Sequence, residues 1–271
     1  MTDKIRKRSA SGALVVAALL LAACGRPAPG PAASAQTASP QSDYLASPEP
    51  RSAAATAGGV VLAGVGQPDA TIRLASPDGS AIGAAAGHDG AWSLTAPGGD
   101  TIRLYSLSED LGGRLLRARG YVALVPQPGP AAATLHPGTA VEPLGPRPAG
   151  LRIAAVDFDR SGAAVASGSA RPLTSVRITL DGAEAGEDRT DAAGRYAVTL
   201  AETLRPGRHV LAATSPGSPA VSAAFDAAPA APIARPPFTA ARQDGAWRLD
   251  WMTPGGGVQT TVMFDPEEAR G

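Results

Sequence analysis

The sequence predicts an all-β protein assembled from small sandwich-like modules, and three observations predict it. Short runs of alternating apolar and polar residues recur between turn signals, no helical period follows the first two dozen residues, and residues 58–94 reappear at 162–198 with a fixed offset of 104. Composition points the same way. Of 271 residues, 58 are Ala, 32 Gly and 26 Pro, whereas Trp, Tyr and Phe number three, four and four. So few large side chains cannot fill one enzyme-sized core, but they suffice for two or three small ones. One Cys and three His argue against an all-protein zinc or iron–sulfur site.

The elements follow in chain order. Lys4, Arg6, Lys7 and Arg8 form a positive amino-terminal region, and Ala13 to Ala23 is an apolar run of signal-peptide length, too short for a comfortable membrane span. It ends in Leu21-Ala22-Ala23-Cys24-Gly25. This resembles the lipobox of bacterial lipoproteins, in which small residues precede a cysteine that is acylated on sulfur, exposed by cleavage and acylated again on nitrogen. The resemblance implies a signal peptide over 1–23, lipidation of Cys24 and attachment to a membrane through it. Several acyl chains would hold the protein stably, since each buried methylene contributes about 0.8 kcal/mol. Gly25, in place of Asp, matches the pattern that permits transport to an outer membrane, so the expected location is the bacterial envelope, facing the periplasm. A nucleic-acid partner is excluded with the cytoplasm.

Loss of the signal leaves 20 basic against 23 acidic residues and removes Lys4 and Lys7, the only lysines. Schiff-base chemistry and a lysine general base go with them. Residues 24–57 carry the expected lipidated Cys and then a run of Ala, Pro, Ser, Gly, Thr and Gln that reads as a flexible tether. Such a linker has an average reach of about 30 Å.

Residues 58–145 read as the first module. Val60 to Leu62, Ala70 to Leu74, Ala81 to Ala85, Ala91 to Thr95 and Thr101 to Leu107 alternate in polarity and are separated by turn sequences such as Ser76-Pro77-Asp78-Gly79. Gly58, Gly64, Arg73, Gly90, Trp92 and Leu94 correspond to Gly162, Gly168, Arg177, Gly194, Tyr196 and Val198. A second module therefore spans 151–228. It contains Asp181-Gly182, Gly186, Thr190-Asp191-Ala192-Ala193-Gly194-Arg195-Tyr196 and Leu204-Arg205-Pro206-Gly207-Arg208-His209. That pattern resembles the bacterial immunoglobulin-like domains found in tandem on surface and periplasmic proteins. The resemblance implies tandem immunoglobulin-like β-sandwiches, a fold that specifies no ligand.

A Pro-rich break at 229–237 precedes a C-terminal β segment, 237–265, with three strand-like runs. Three strands alone are marginal, so they are expected to dock on a neighbouring module. Asp244-Gly245-Ala246-Trp247 echoes Asp89-Gly90-Ala91-Trp92, which places Trp92, Tyr196 and Trp247 as structural core. Trp247, Leu249 and Trp251 share one face at period two, and Arg248 and Asp250 are expected to face water. Trp251, Thr253, Gln259 and Thr261 are the candidate interaction surface.

No catalytic residue, metal site or cofactor is expected. Asp157-Phe158-Asp159-Arg160-Ser161-Gly162 lacks the further ligands of a calcium loop and reads as a strand end and turn. His88 and His209 have no second ligand at metal spacing, and Ser167-Gly168-Ser169 is not a nucleophile elbow. The expected function is that of a non-catalytic, lipid-anchored envelope protein acting as a structural or protein-interaction module with an envelope protein partner. The alternative is a peptidoglycan- or carbohydrate-binding lipoprotein, which calls for exposed aromatics.

Overall fold

A computed structural model describes residues 45–146 and 149–265. The expected signal peptide, Cys24 and the tether as far as residue 44 lie outside the described residues. The protein is all-β. Its first half forms β1 (Glu49–Thr56), β2 (Gly59–Val65), β3 (Thr71–Ala75), β4 (Ala81–Ala85), β5 (Ala91–Ala96), β6 (Arg103–Leu111), β7 (Arg114–Arg117), β8 (Tyr121–Val125), β9 (Ala131–Leu135) and β10 (Glu142–Pro143). The second half forms β11 (Arg152–Asp159), β12 (Ala164–Ser169), β13 (Ser175–Leu180), β14 (Ala183–Arg189), β15 (Arg195–Thr199), β16 (Arg208–Thr214), β17 (Val221–Asp226), β18 (Phe238–Gln243), β19 (Ala246–Met252) and β20 (Val258–Phe264).

The strands make four antiparallel sheets. Their orders are β1-β2-β5, then β10-β9-β8-β6-β3-β4 with β7 paired to β6, then β15-β12-β11-β20-β19-β18, and last β14-β13-β16-β17. The repeat seen in the sequence is a repeat of topology. β1-β2-β5 has its counterpart in β11-β12-β15, and β4-β3-β6-β8 in β14-β13-β16-β17. Turn bonds repeat too: Gly66 N–H donates to Gly90 O, and Ala170 N–H to Gly194 O, each at 2.9 Å.

Three apolar cores separate the four sheets. Leu62, Trp92, Ile72 and Leu107 belong to the core between the first and second sheets, and Ile153, Tyr196, Ile178 and Leu211 to the core between the third and fourth. The third core is a seam between the halves, where Leu104, Ala123, Val125 and Leu135 meet Ala155, Trp247, Leu249, Trp251 and Met263. The strands at the seam are covered on both faces, so β9 and β19 are buried almost continuously instead of alternating. Trp251 is fully buried, its ring edge-on to Tyr121 at 5.9 Å between centroids.

Two expectations change here. The tether was expected to run to residue 57, but Glu49–Thr56 is a strand. Its Ala and Ser side chains look like linker, yet its backbone pairs with β2 from Glu49 to Thr56, and Ala53 is buried with its N–H on Leu144 O at 2.9 Å. Arg248 and Asp250 were expected to face water, but are 7% and 8% exposed. The side of β19 opposite the tryptophans lies over the second half: Arg248 stacks on the Phe158 ring at 5.8 Å and donates to Ala228 O at 2.7 Å. The C-terminal strands hydrogen-bond to the second half through β20 and β11 while turning their tryptophans toward the first.

Candidate functional site

Between β11, β12 and β15 of the third sheet and segments of the first half, a groove of about 790 Å³ opens, within the size range of ligand clefts. Its floor consists mainly of small residues because of strand register. Ser167 stands opposite Ala197, Ser169 lies between Arg152 and Arg195, and Ala154 sits at the irregularity in β11 beside them. Its wall comes from the first half: Ala54 and Ala55 of β1, the turn at 127–131 and the segment 139–143. Pro128, Pro130, Pro143 and Pro146 give that wall a rigid apolar character.

Charge in the groove balances. Arg152, Arg189 and Arg195 face Glu142, Asp188 and Asp191. Arg195 bridges the halves at the mouth, pairing with Glu142 of β10 and, at 2.7 Å, with Asp191. Asp188 accepts the Ala197 N–H at 2.9 Å and so covers the outer edge of β15. Tyr196 donates to Arg152 O at 2.9 Å, and burial pushes its phenol pKa up. Ser167 differs from these. It is 4% exposed, and its hydroxyl has no hydrogen-bond partner. A buried hydroxyl left unpaired is unfavourable unless something meets it.

Beside the groove the seam is held by polar side chains. Asp157 is fully enclosed. It accepts the Val141 N–H at 2.8 Å on one carboxylate oxygen and the Thr261 hydroxyl at 2.5 Å on the other. Thr261 Oγ1 in turn accepts the Trp251 indole N–H at 3.2 Å. Gln259 accepts the Gly138 N–H at 3.0 Å. Burial raises the Asp157 carboxyl to about 7, against the opposing effect of its hydrogen bonds.

The candidate interaction surface is corrected by this geometry. Trp251, Gln259 and Thr261 are 0%, 6% and 0% exposed and form the inside of the seam, while Thr253 is half-buried in the β19–β20 turn. Their polar groups are used up within the chain. Trp92 and Tyr196 belong to the two sandwich-like cores; Trp247, 7% exposed, belongs to the seam. Asp159 does close a turn, accepting from Ser161 N–H at 2.8 Å. Among the described residues, no three His, Cys, Asp or Glu side chains gather as a metal site would require. Sequence reading passed over Ser167, Glu142 and Arg195 as a set. Their only signal is the alignment of Ser167 and Ser169 with β15, which cannot be seen before the register is known.

No known family profile matches the chain, and no curated protein matches it. Among solved structures it is similar to a biofilm associated protein BSP domain, at 14% identity and a TM-score of 0.26, covering 70% of this chain and 30% of that one. It is also similar to the central fibronectin-III array of RIM-binding protein, at 14% identity and a TM-score of 0.24, covering 77% and 74%. The chain thus spans about 30% of the length of the first of these. At such scores the fold rests on the strand pairing itself.

Proposed function

We propose that this chain is a lipid-anchored protein of the bacterial envelope, fixed to the membrane through Cys24, whose tandem immunoglobulin-like sandwiches serve as a protein-interaction module. The lipobox-like Leu21-Ala22-Ala23-Cys24 and the linker after it support the anchor. Two units of like strand order, joined by a buried seam, support a stiff module and not a string of loose beads. The interaction role rests on one observation: a charge-balanced groove between the halves with a floor of small residues. Its occupant is an uncharged, extended polypeptide segment of an envelope partner. The small-residue floor admits a backbone lying flat, and the balanced charges attract neither acid nor base.

Site-specific photo-crosslinking in intact envelopes tests this. A photo-reactive residue at Ala154 in the groove is compared with one at Val210, an exposed strand position outside the groove lining, each with Cys24 intact and as Cys24→Ser. The expected result is a protein adduct from Ala154 alone, mapping to an uncharged segment and lost with Cys24→Ser. Adducts of equal yield from both positions, or muropeptides in place of protein, would overturn the reading.

A further inference from the structure

Asp157 is a buried carboxylate that joins the two halves, and its partners are all neutral. Three elements meet there: β11, which carries it, β20, which supplies Thr261, and the segment 138–141 of the first half. That segment is held to the second half by side chains. Gly138 N–H donates to Gln259 Oε1 at 3.0 Å, Gln259 Nε2 donates to Thr139 O at 3.5 Å, and Val141 N–H donates to Asp157 Oδ2 at 2.8 Å. Thr139, Ala140 and Val141 also form part of the groove wall. One carboxylate therefore touches both the seam and the site.

The charged groups around it are engaged elsewhere. On the first-half segment, Glu142 is paired with Arg195, and His136 is held below its ordinary value by burial and by Arg119. On β19, Arg248 is paired with Asp250, to which Thr260 donates at 2.6 Å. At the ends of β11 and β20, Arg152 donates to Phe264 O at 3.1 Å, Asp159 faces solvent and Asp265 is paired with Arg242. β9 and β12 carry no charged side chain. Nothing cationic compensates an ionised Asp157.

We propose that Asp157 and Val141 form a proton-operated latch that sets how firmly the 138–141 segment closes the groove. This rests on the groove being the binding site. With the proton in place, the neutral carboxyl donates to Thr261 Oγ1 and still accepts the Val141 N–H, so the wall is shut. Without it, the carboxylate needs more solvation than two or three hydrogen bonds provide. Water reaches it most readily through the 138–141 segment. β11 and β20 are inner strands locked in a ladder, whereas that segment is tied to the second half through side chains. The latch is firmest at acidic pH and loosens as pH rises toward 7.

The test uses the folded protein without ligand, so it succeeds or fails independently of the crosslinking experiment. The Trp251 indole N–H reports on Thr261, and the Val141 amide reports on the latch itself. NMR from pH 5 to 9 is expected to show the Trp251 indole resonance titrating with a midpoint near 7. The Val141 amide protection factor is expected to fall roughly a hundredfold between the two ends, the change that linkage gives when a carboxyl held near 7 in the closed state returns to its ordinary 3.8 on opening. Asp157→Asn should abolish both changes. If that variant does not fold, the carbon-13 carboxyl resonance of Asp157 in the native protein gives the midpoint directly. A carboxyl already ionised at pH 5, or an unchanged titration in Asp157→Asn, would overturn the latch.

Discussion

Gly168 stands directly opposite Tyr196 across β12 and β15, so close that a Cβ on it would lie 2.5 Å from the phenol oxygen. It would also lie 2.0 Å from the Arg152 carbonyl oxygen. The same relation joins Gly64 to Trp92 in the first half, where a Cβ would lie 2.4 Å from the indole ring and 2.2 Å from Glu49 O. In each half a missing side chain makes the space in which an aromatic ring closes the core.

Gly168→Ala is expected to destabilise the protein by about 2–3 kcal/mol, as overpacking does. Denaturant unfolding measures this. Adding Tyr196→Phe should not restore stability, because the backbone oxygen of Arg152 still blocks the new methyl group. Full rescue by Tyr196→Phe would mean that the ring alone sets the limit.

Trp251→Ala is expected to cost about 3–5 kcal/mol, the range for large aromatic truncations in a core. It also strips Thr261 of a donor at the seam. Calorimetry should show more than a lowered midpoint: with the seam weakened, the two halves are expected to unfold in separable steps. A single transition with an unchanged midpoint would place Trp251 at a surface after all.

His209 sits between the Arg205 carbonyl and the Asp181 carboxylate, its ring nitrogens 2.7 Å from each. Burial lowers its pKa, yet the Arg205 hydrogen bond, Asp181 and Asp226 together outweigh that and leave it raised. The protonated ring therefore favours the folded state. This contribution is complete below the ordinary imidazole value of 6.5 and is lost as pH rises through the raised folded value. Asp157 acts in the same direction over a wider window: its carboxyl is raised from 3.8 to about 7, so stability falls between those values. Stability measured from pH 4 to 9 should decline from the acid end until pH has passed both raised values, and then level off. His209→Gln should flatten the upper part of the curve and Asp157→Asn most of the lower part; a curve rising with pH would reverse both assignments.

Much of the architecture was legible because it is written in local pattern. Ile72 and Leu74 alternate with Thr71 and Arg73, and the offset from Gly64 and Trp92 to Gly168 and Tyr196 marks one topology used twice. β1 escaped notice because Pro50 to Thr56 carries almost no large side chain, and backbone pairing with β2 does not need one. The second dry face of β19 escaped for a different reason. Alternation predicts one dry and one wet face, so Arg248, Asp250 and Thr261 read as solvent-facing, and only the arrangement of sheets reveals that β19 and β20 have two dry faces. The groove was least legible, since Ser167, Arg195 and Glu142 converge through register and through contact between the halves.

The seam also sets an order in time. Leu104, Ala123, Val125 and Leu135 are covered by residues 247–263, more than a hundred positions downstream of β9. A chain emerging amino-terminus first, from a ribosome or through a membrane pore, can fold β1 to β10 while one face of β8 and β9 stays bare until β19 and β20 arrive. Long-range pairing of this kind is slow and exposes apolar surface to other chains in the interval. A chain interrupted or clipped before residue 246 therefore leaves Leu104, Ala123, Val125 and Leu135 bare, and its aggregation-prone surface lies in the first half, on strands that are otherwise fully folded.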